Sequence, residues 1–340
     1  MALESHQIDA SLLTWQEVTA EYDEWSGLLL GNGLSRSVCG DFGYPSLFEK
    51  ARQDGEGSLT DDDRRLFETL DTKNFERVLA ELAGAIRIAE ALEKDPGAYL
   101  DRYRSIQQAL GSAVQSVHVD FFDIPKPALQ AIGRVFQDQA YVFTTSYDLI
   151  VYWAMGAVGY ERLCDCFWDD YCFDPADSEP PKEKTPVYFL HGALHLMVMG
   201  SGVTRKRVNT SLQNLLEQFG RPLDGDEQAR PLLITEGSSQ HKLLAIEGNG
   251  YLSDALNRLR RFKDDLVVFG SELGKQDQHL VEALNRNPKR RVAVSVQREG
   301  RSAGEIRAIK ANLLGGLDAA PLLFFDAATH PLGRLVRSGG

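Results

Sequence analysis

Four short segments carry residue types that could do chemistry together. The first is Gly31-Asn32-Gly33-Leu34-Ser35, which follows the apolar run Gly27-Leu28-Leu29-Leu30. Glycines allow a tight turn and close backbone approach, and amides exposed at a following helix start attract negative charge, a combination suited to a pyrophosphate. A tight turn with no ligand fits the same residues. The dehydrogenase pattern G-x-G-x-x-G wants glycine where this chain has Arg36, and no second strand follows within about 30 residues, so a hydride-transferring enzyme is disfavoured. The second segment, Thr144-Thr145-Ser146-Tyr147-Asp148, ends another apolar run. The third, Leu190-His191-Gly192, repeats that situation, and the fourth is Val267-Val268-Phe269-Gly270-Ser271-Glu272-Leu273. Open α/β sheets place ligand residues beyond the carboxyl ends of their strands, and a histidine there can act as a general base near neutral pH.

Other eye-catching residues fit structural roles. His191 and His195 have the spacing of an H-E-x-x-H zinc helix, but Gly192 stands where the glutamate base is needed. Cys39, Cys164, Cys166 and Cys172 lack the paired C-x2-C spacing of a structural zinc site, so no metal is expected. Thr235-Glu236-Gly237-Ser238-Ser239 lacks the G-x-S-x-G elbow of hydrolases and reads as a turn, with Glu236 or Lys242 as a candidate substrate contact. Trp153, Trp168, Tyr171 and Phe173 read as core or interface.

The elements that must position these segments follow from periodicity. Near-continuous apolar runs at 27–30, 141–144, 186–190, 232–234, 265–269, 291–294 and 322–325 suit strands buried on both faces of a parallel sheet. Helical stretches at 276–285 and 303–313 alternate with them, the βαβ pattern of a doubly wound sheet. Between 45 and 135 the period changes: Phe75, Val78, Leu79, Leu82, Ile86 and Ala89 recur at helical spacing, with Thr72 or Asn74 placed to cap. Thr60 would cap a helix whose first turn is Asp61-Asp62-Asp63, making those aspartates a helix start and not a metal site. The expected architecture is one α/β domain over 1–330, Rossmann-like and mostly parallel, with a large helical insertion over 45–135 after the first strand. Residues 331–340 read as a tail.

In this order, the four segments resemble the sirtuin superfamily: its glycine and serine loop, its T-x-N-x-D segment, its catalytic histidine, and its V-V-x-G-x-x-L strand and turn. The likeness spans roughly 28–293 and is closest to bacterial sirtuin-like proteins, among them a family of unknown function, some relatives of which destroy NAD in antiphage defence. It implies NAD as the substrate, with the pyrophosphate on Gly31, Asn32 and Gly33, with Ser35, Thr144 and Thr145 also binding NAD, and with Gly270 and Ser271 facing the adenosine half. It places the nicotinamide ribose near Asp148 and His191, with His191 as general base. Where the family has asparagine this chain has Ser146, whose hydroxyl does not reach as far as the amide that both donates and accepts there. The four-cysteine zinc module of deacylating sirtuins is not reproduced, so hydrolysis of NAD is favoured over lysine deacylation. A homo-oligomer and a regulatory or sensor partner are implied by the resemblance alone.

Bulk properties narrow the partners. The 340 residues carry a formal charge of −12, with a pI near 5.1, which argues against nonspecific nucleic-acid binding. The basic runs at 205–207, 258–261 and 289–291 are interrupted by acidic stretches and read as solvated faces. No run is long enough for a membrane span of about 20 residues. With no secretory pattern near Met1, a cytoplasmic location with reduced thiols is expected.

Overall fold

The computed structural model describes residues 9–38, 44–53, 55, 57–208, 215, 218, 223–226, 229–234, 238–319 and 321–334. Helix α1 (Trp15–Glu21) begins at a capping box in which the Thr14 hydroxyl accepts from the Glu17 amide and the Glu17 carboxylate accepts from the Thr14 amide. Strand β1 (Gly27–Leu30) is buried along its whole length and turns into the short helix α2 (Gly33–Val38). The chain then leaves the sheet for α3 (Tyr44–Ala51), α4 (Asp61–Thr69), α5 (Phe75–Ala91), α6 (Gly97–Val117) and α7 (Lys126–Gln137).

Apolar residues at helical spacing build that insertion. Phe75, Val78 and Leu79 are fully buried, and Phe75 packs on Phe67, whose ring in turn meets Phe48. The aspartate run is a helix start: Thr60 caps α4, and the buried Asp63 carboxylate holds Thr60, Arg102 and Ser105.

The sheet resumes with β2 (Tyr141–Thr144), helix α8 (Ile150–Val158), β3 (Leu163–Cys164) and β4 (Thr185–Phe189). After β5 (Gly192–Val198), β6 (Thr204–Lys206) and β7 (Arg230–Leu233) come helices α9 (Ser239–Glu247) and α10 (Gly250–Arg261). The remainder alternates as β8 (Leu266–Phe269), α11 (Gln278–Asn285), β9 (Val292–Val296), α12 (Ala303–Gly316), β10 (Leu322–Asp326) and α13 (Pro331–Arg334). Leu332 of α13 is fully buried, so residues 331–334 belong to the folded body; 335–340 lie outside the described residues.

Seven strands form one parallel sheet in the order β10-β9-β8-β1-β2-β4-β3. This is the Rossmann-like α/β architecture expected from the apolar runs. β1 lies at its centre; the chain builds outward through β2 and β4, then returns to β1's other side at β8. The order therefore reverses at β1, and a crevice at such a switch point is where doubly wound sheets take ligands.

Two further expectations are corrected. Residues 232–234 do not join the parallel sheet: β7 pairs antiparallel with β5 in a second sheet, β6-β5-β7. The cause is the turn at Leu190 and His191, which carries the chain from β4 straight into β5 with Gly192 at φ +77°. A parallel return needs a crossover of a dozen residues or more, and none fits there. The basic runs are not wholly solvated either. Lys206, Arg207 and Arg290 are buried because each has a polar partner: Lys206 pairs with Asp165 at 2.6 Å, Arg207 donates to the Gln218 carbonyl, and Arg290 to the carbonyls of Phe262 and Leu284. Among the described residues no helix is long and apolar enough to cross a membrane.

Candidate functional site

A cleft of about 880 Å3 opens at the carboxyl ends of β1, β2 and β8. Of the residues expected to form a site, Gly31, Asn32, Gly33, Thr145, Ser146, Asp148, His191, Gly270 and Ser271 line it. Leu47 of α3, with Leu110 and Val114 of α6, supplies an apolar wall, so the helical insertion closes one side.

The glycines serve first to dock one loop on another. The Gly33 amide donates to the Gly270 carbonyl at 2.8 Å, and the Leu34 amide to the Gly31 carbonyl at 3.2 Å. A Cβ on Gly31 would lie 2.4 Å from the Gly270 oxygen, and one on Gly33 would lie 2.5 Å from the Gly270 Cα. Gly270 itself sits at φ +72°. Close backbone packing between the β1 and β8 loops thus demands glycine on both sides. The Gly270 amide is held in turn by Ser295 Oγ at 2.9 Å.

Behind the β1 and β2 loops lies a buried hydroxyl and carboxylate network. Ser35 Oγ donates to Asp148 Oδ2 at 2.5 Å and lies 3.2 Å from Ser146 Oγ, while Asp148 Oδ1 accepts from the Ile150 amide at 2.9 Å. Ser35 does not line the cleft; it is fully buried and orders the two residues that do. Thr144 is likewise behind the wall, where its hydroxyl accepts the Ser146 amide at 3.1 Å and fixes the turn. Ladder bonds continue past the strands: Thr145 N to Leu30 O at 2.9 Å, and Leu190 N to Thr144 O at 2.8 Å. The insertion contributes here too, because His118 Nε2, just beyond α6, accepts the Leu149 amide at 2.9 Å beside Asp148.

On the opposite side His191 Nε2 lies 2.9 Å from His279 Nε2, and His279 Nδ1 lies 3.0 Å from Ser239 Oγ. Lys242, almost fully buried on α9, points its ammonium at Asp277 at 3.2 Å. Burial, then the Lys242 charge, then His279 push the His191 pKa well below the usual imidazole value. The same burial, with Lys242 and Arg260, brings His279 down to about 3. The depressed pKa values keep both rings neutral at pH 7, so one Nε2 donates the hydrogen bond that the other accepts.

His279, Asp277 and Arg301 escaped the sequence reading, and Arg36 was noted only as a departure from a glycine pattern, although Asp277-Gln278-His279 stands a few residues beyond the Gly270 turn and could have drawn notice. Arg301 pairs with Glu272, tying the loop after β9 to the loop after β8 where both line the cleft. His195 is packed in the core. Trp153 and Phe173 are buried, whereas Tyr171 is partly exposed. Cys164, Cys166 and Cys172 are free thiols; Cys39 and Glu236 lie outside the described residues.

Fold and cleft together define a Rossmann-like α/β protein with a crevice of mixed polar and apolar lining at its topological switch point. A family model for a domain of unknown function, DUF4917, matches residues 28–330, and the chain belongs to that family. No curated protein matches the chain.

Proposed function

We propose that this protein is an NAD glycohydrolase, splitting the nicotinamide ribosyl bond to give ADP-ribose and nicotinamide. One observation carries the reading: Ser146, Asp148 and His191 meet the Gly31–Gly33 and Gly270 loops in a single cleft at the switch point. Its volume falls in the range of small-molecule and cofactor sites, about 300 to 1,000 Å3. In the proposed reaction the C1′–N bond breaks with its electron pair going to nicotinamide, leaving an oxocarbenium-like ribose. Water attacks C1′ and gives a proton to His191, whose neutral ring suits it as the base. Ser35, bonded to both Asp148 and Ser146, holds them beside the ribose.

By its resemblance to sirtuin-like relatives, we assign the protein a role as a regulated, cytoplasmic, NAD-depleting antiphage effector. It would work as a homo-oligomer whose activity a regulatory or sensor partner releases. A second reading, an NAD or ADP-ribose sensor with impaired catalysis, is favoured by Ser146, whose hydroxyl is turned to Ser35 where the related pattern has a longer amide.

Following nicotinamide release from purified protein and NAD separates the readings. For the hydrolase, Ser146→Asn raises the rate by about tenfold, the scale of one added transition-state hydrogen bond of about 1.4 kcal/mol. Tight NAD binding without release by either form would favour the sensor, and absence of binding would defeat both.

A further inference from the structure

Three donor atoms converge beside the cleft: one ring nitrogen each from His191 and His279 and a carboxylate oxygen of Asp277 all lie within 4.8 Å of one another. The two Nε2 atoms are 2.9 Å apart. Two nitrogens on one tetrahedral zinc, each at about 2.05 Å, stand about 3.3 Å apart, so a small opening of the pair would seat an ion. His279 Nδ1 rests on Ser239 Oγ at 3.0 Å, the kind of outer contact that fixes a ligating imidazole. His191 and Asp277 both line the cleft, so an ion has an entry path and a fourth position open to solvent.

Departing from the metal-free site expected from the sequence, we propose that His191, His279 and Asp277 form a three-ligand site for a zinc-class transition-metal dication. Occupancy takes the lone pair that His191 needs as a base, so the ion silences the cleft; that consequence rests on the hydrolase reading. Two imidazoles and one carboxylate suit zinc, cobalt or nickel, whereas magnesium and calcium want oxygen sets. The Lys242 ammonium, 3.2 Å from Asp277 Oδ1, opposes the ion. The carboxylate has a second oxygen, so the lysine weakens the site without filling it.

Isothermal titration of the EDTA-stripped full chain with zinc chloride, and separately with magnesium chloride, tests the site. One zinc equivalent is expected in the wild type and no magnesium binding. His279→Ala should lose that equivalent, Asp277→Asn should weaken it by about tenfold or more, and Lys242→Met should tighten it. Circular dichroism of each variant establishes that it is folded, and cobalt substitution should give visible d–d bands in the wild type that vanish in His279→Ala. Identical zinc binding by wild type and folded His279→Ala, or no binding by the wild type, overturns the site. A second arm follows nicotinamide release as zinc is added. Undiminished release at full occupancy overturns the silencing, whereas zinc binding with no release in any state keeps the metal site and sinks the hydrolase.

Discussion

His191 and His195 stand four residues apart, and both are buried rings whose pKa falls well below the usual imidazole value, chiefly through burial. Their surroundings differ. His191 occupies the turn between β4 and β5, lines the cleft and meets His279; a lysine charge adds to burial at both rings, Lys242 at His191 and Lys206 at His195. His195 lies within β5 where its pairing with β7 shifts register, stacked 4.3 Å from Tyr152 and edge-on to Phe189 at 4.7 Å. Neither of its ring nitrogens has a hydrogen-bond partner among the described residues. Desolvation alone therefore does not mark a site. What sets His191 apart is a polar partner together with access to a cavity.

The largest expected difference between the two is kinetic. If His191 is the base, His191→Ala lowers nicotinamide release by about a thousandfold, roughly 4 kcal/mol of transition-state stabilisation, with NAD affinity much less affected. A comparable loss on changing His195 would erase the distinction. Next comes the residue that separates their environments. Gly192 has φ +77°, and a Cβ there would fall 1.9 Å from the Leu232 carbonyl oxygen. Gly192→Ala should cost about 3 kcal/mol of stability, seen as a lower denaturant midpoint, because left-handed strain adds to a backbone clash. An unchanged midpoint would mean that β5 can leave β4 by another route.

The electrostatic setting of His191 is tested with Lys242→Met in EDTA-containing buffer. In the wild type the depressed His191 pKa keeps its lone pair available, so the rate should stay flat from about pH 8 down to about pH 6. Removing the ammonium raises the His191 and His279 pKa values, since Lys242 lowers both. The base is then protonated earlier as pH falls, and the acid limb of the rate profile moves to higher pH. A limb that stays put, or moves lower, would show that Lys242 does not act on the base.

Much of this arrangement was legible in local pattern. Apolar runs ending at Gly31, Thr144, His191 and Gly270 marked strands and their carboxyl ends, because a strand buried on both faces shows itself as an unbroken apolar stretch. The pairing of His191 with His279 was not legible, since 88 residues separate them and only the tertiary fold joins them. The second sheet was hidden because the apolar stretch 187–199 is continuous across the turn at Leu190 and His191, with Gly192 as the sole local sign. Ser35 and Thr144 were placed in the right neighbourhood but on the wrong side of the wall, for strand-end position does not say which hydroxyls point into a cleft. Lys206 and Arg290 misled for a related reason: residue type gives a charge, while burial depends on whether a distant partner meets it.

The smallest effect belongs to His195 itself. His195→Phe keeps the ring contacts with Tyr152 and Phe189 and removes two unpartnered nitrogens, so stability near pH 8 should change by less than about 1 kcal/mol. Lower pH exposes the difference. The folded pKa of His195 is depressed and the unfolded value is about 6.5, so below that pH the unfolded chain binds a proton that the folded chain refuses. The wild type therefore loses stability through this residue by about 1.4 kcal/mol for each pH unit below about 6.5, and the variant does not. Urea midpoints measured for both proteins at about pH 8 and about pH 5.5 should diverge in the variant's favour at the lower pH. A constant gap would mean that His195 titrates normally in the folded chain, and the contrast with His191 would then rest on access to the cleft alone.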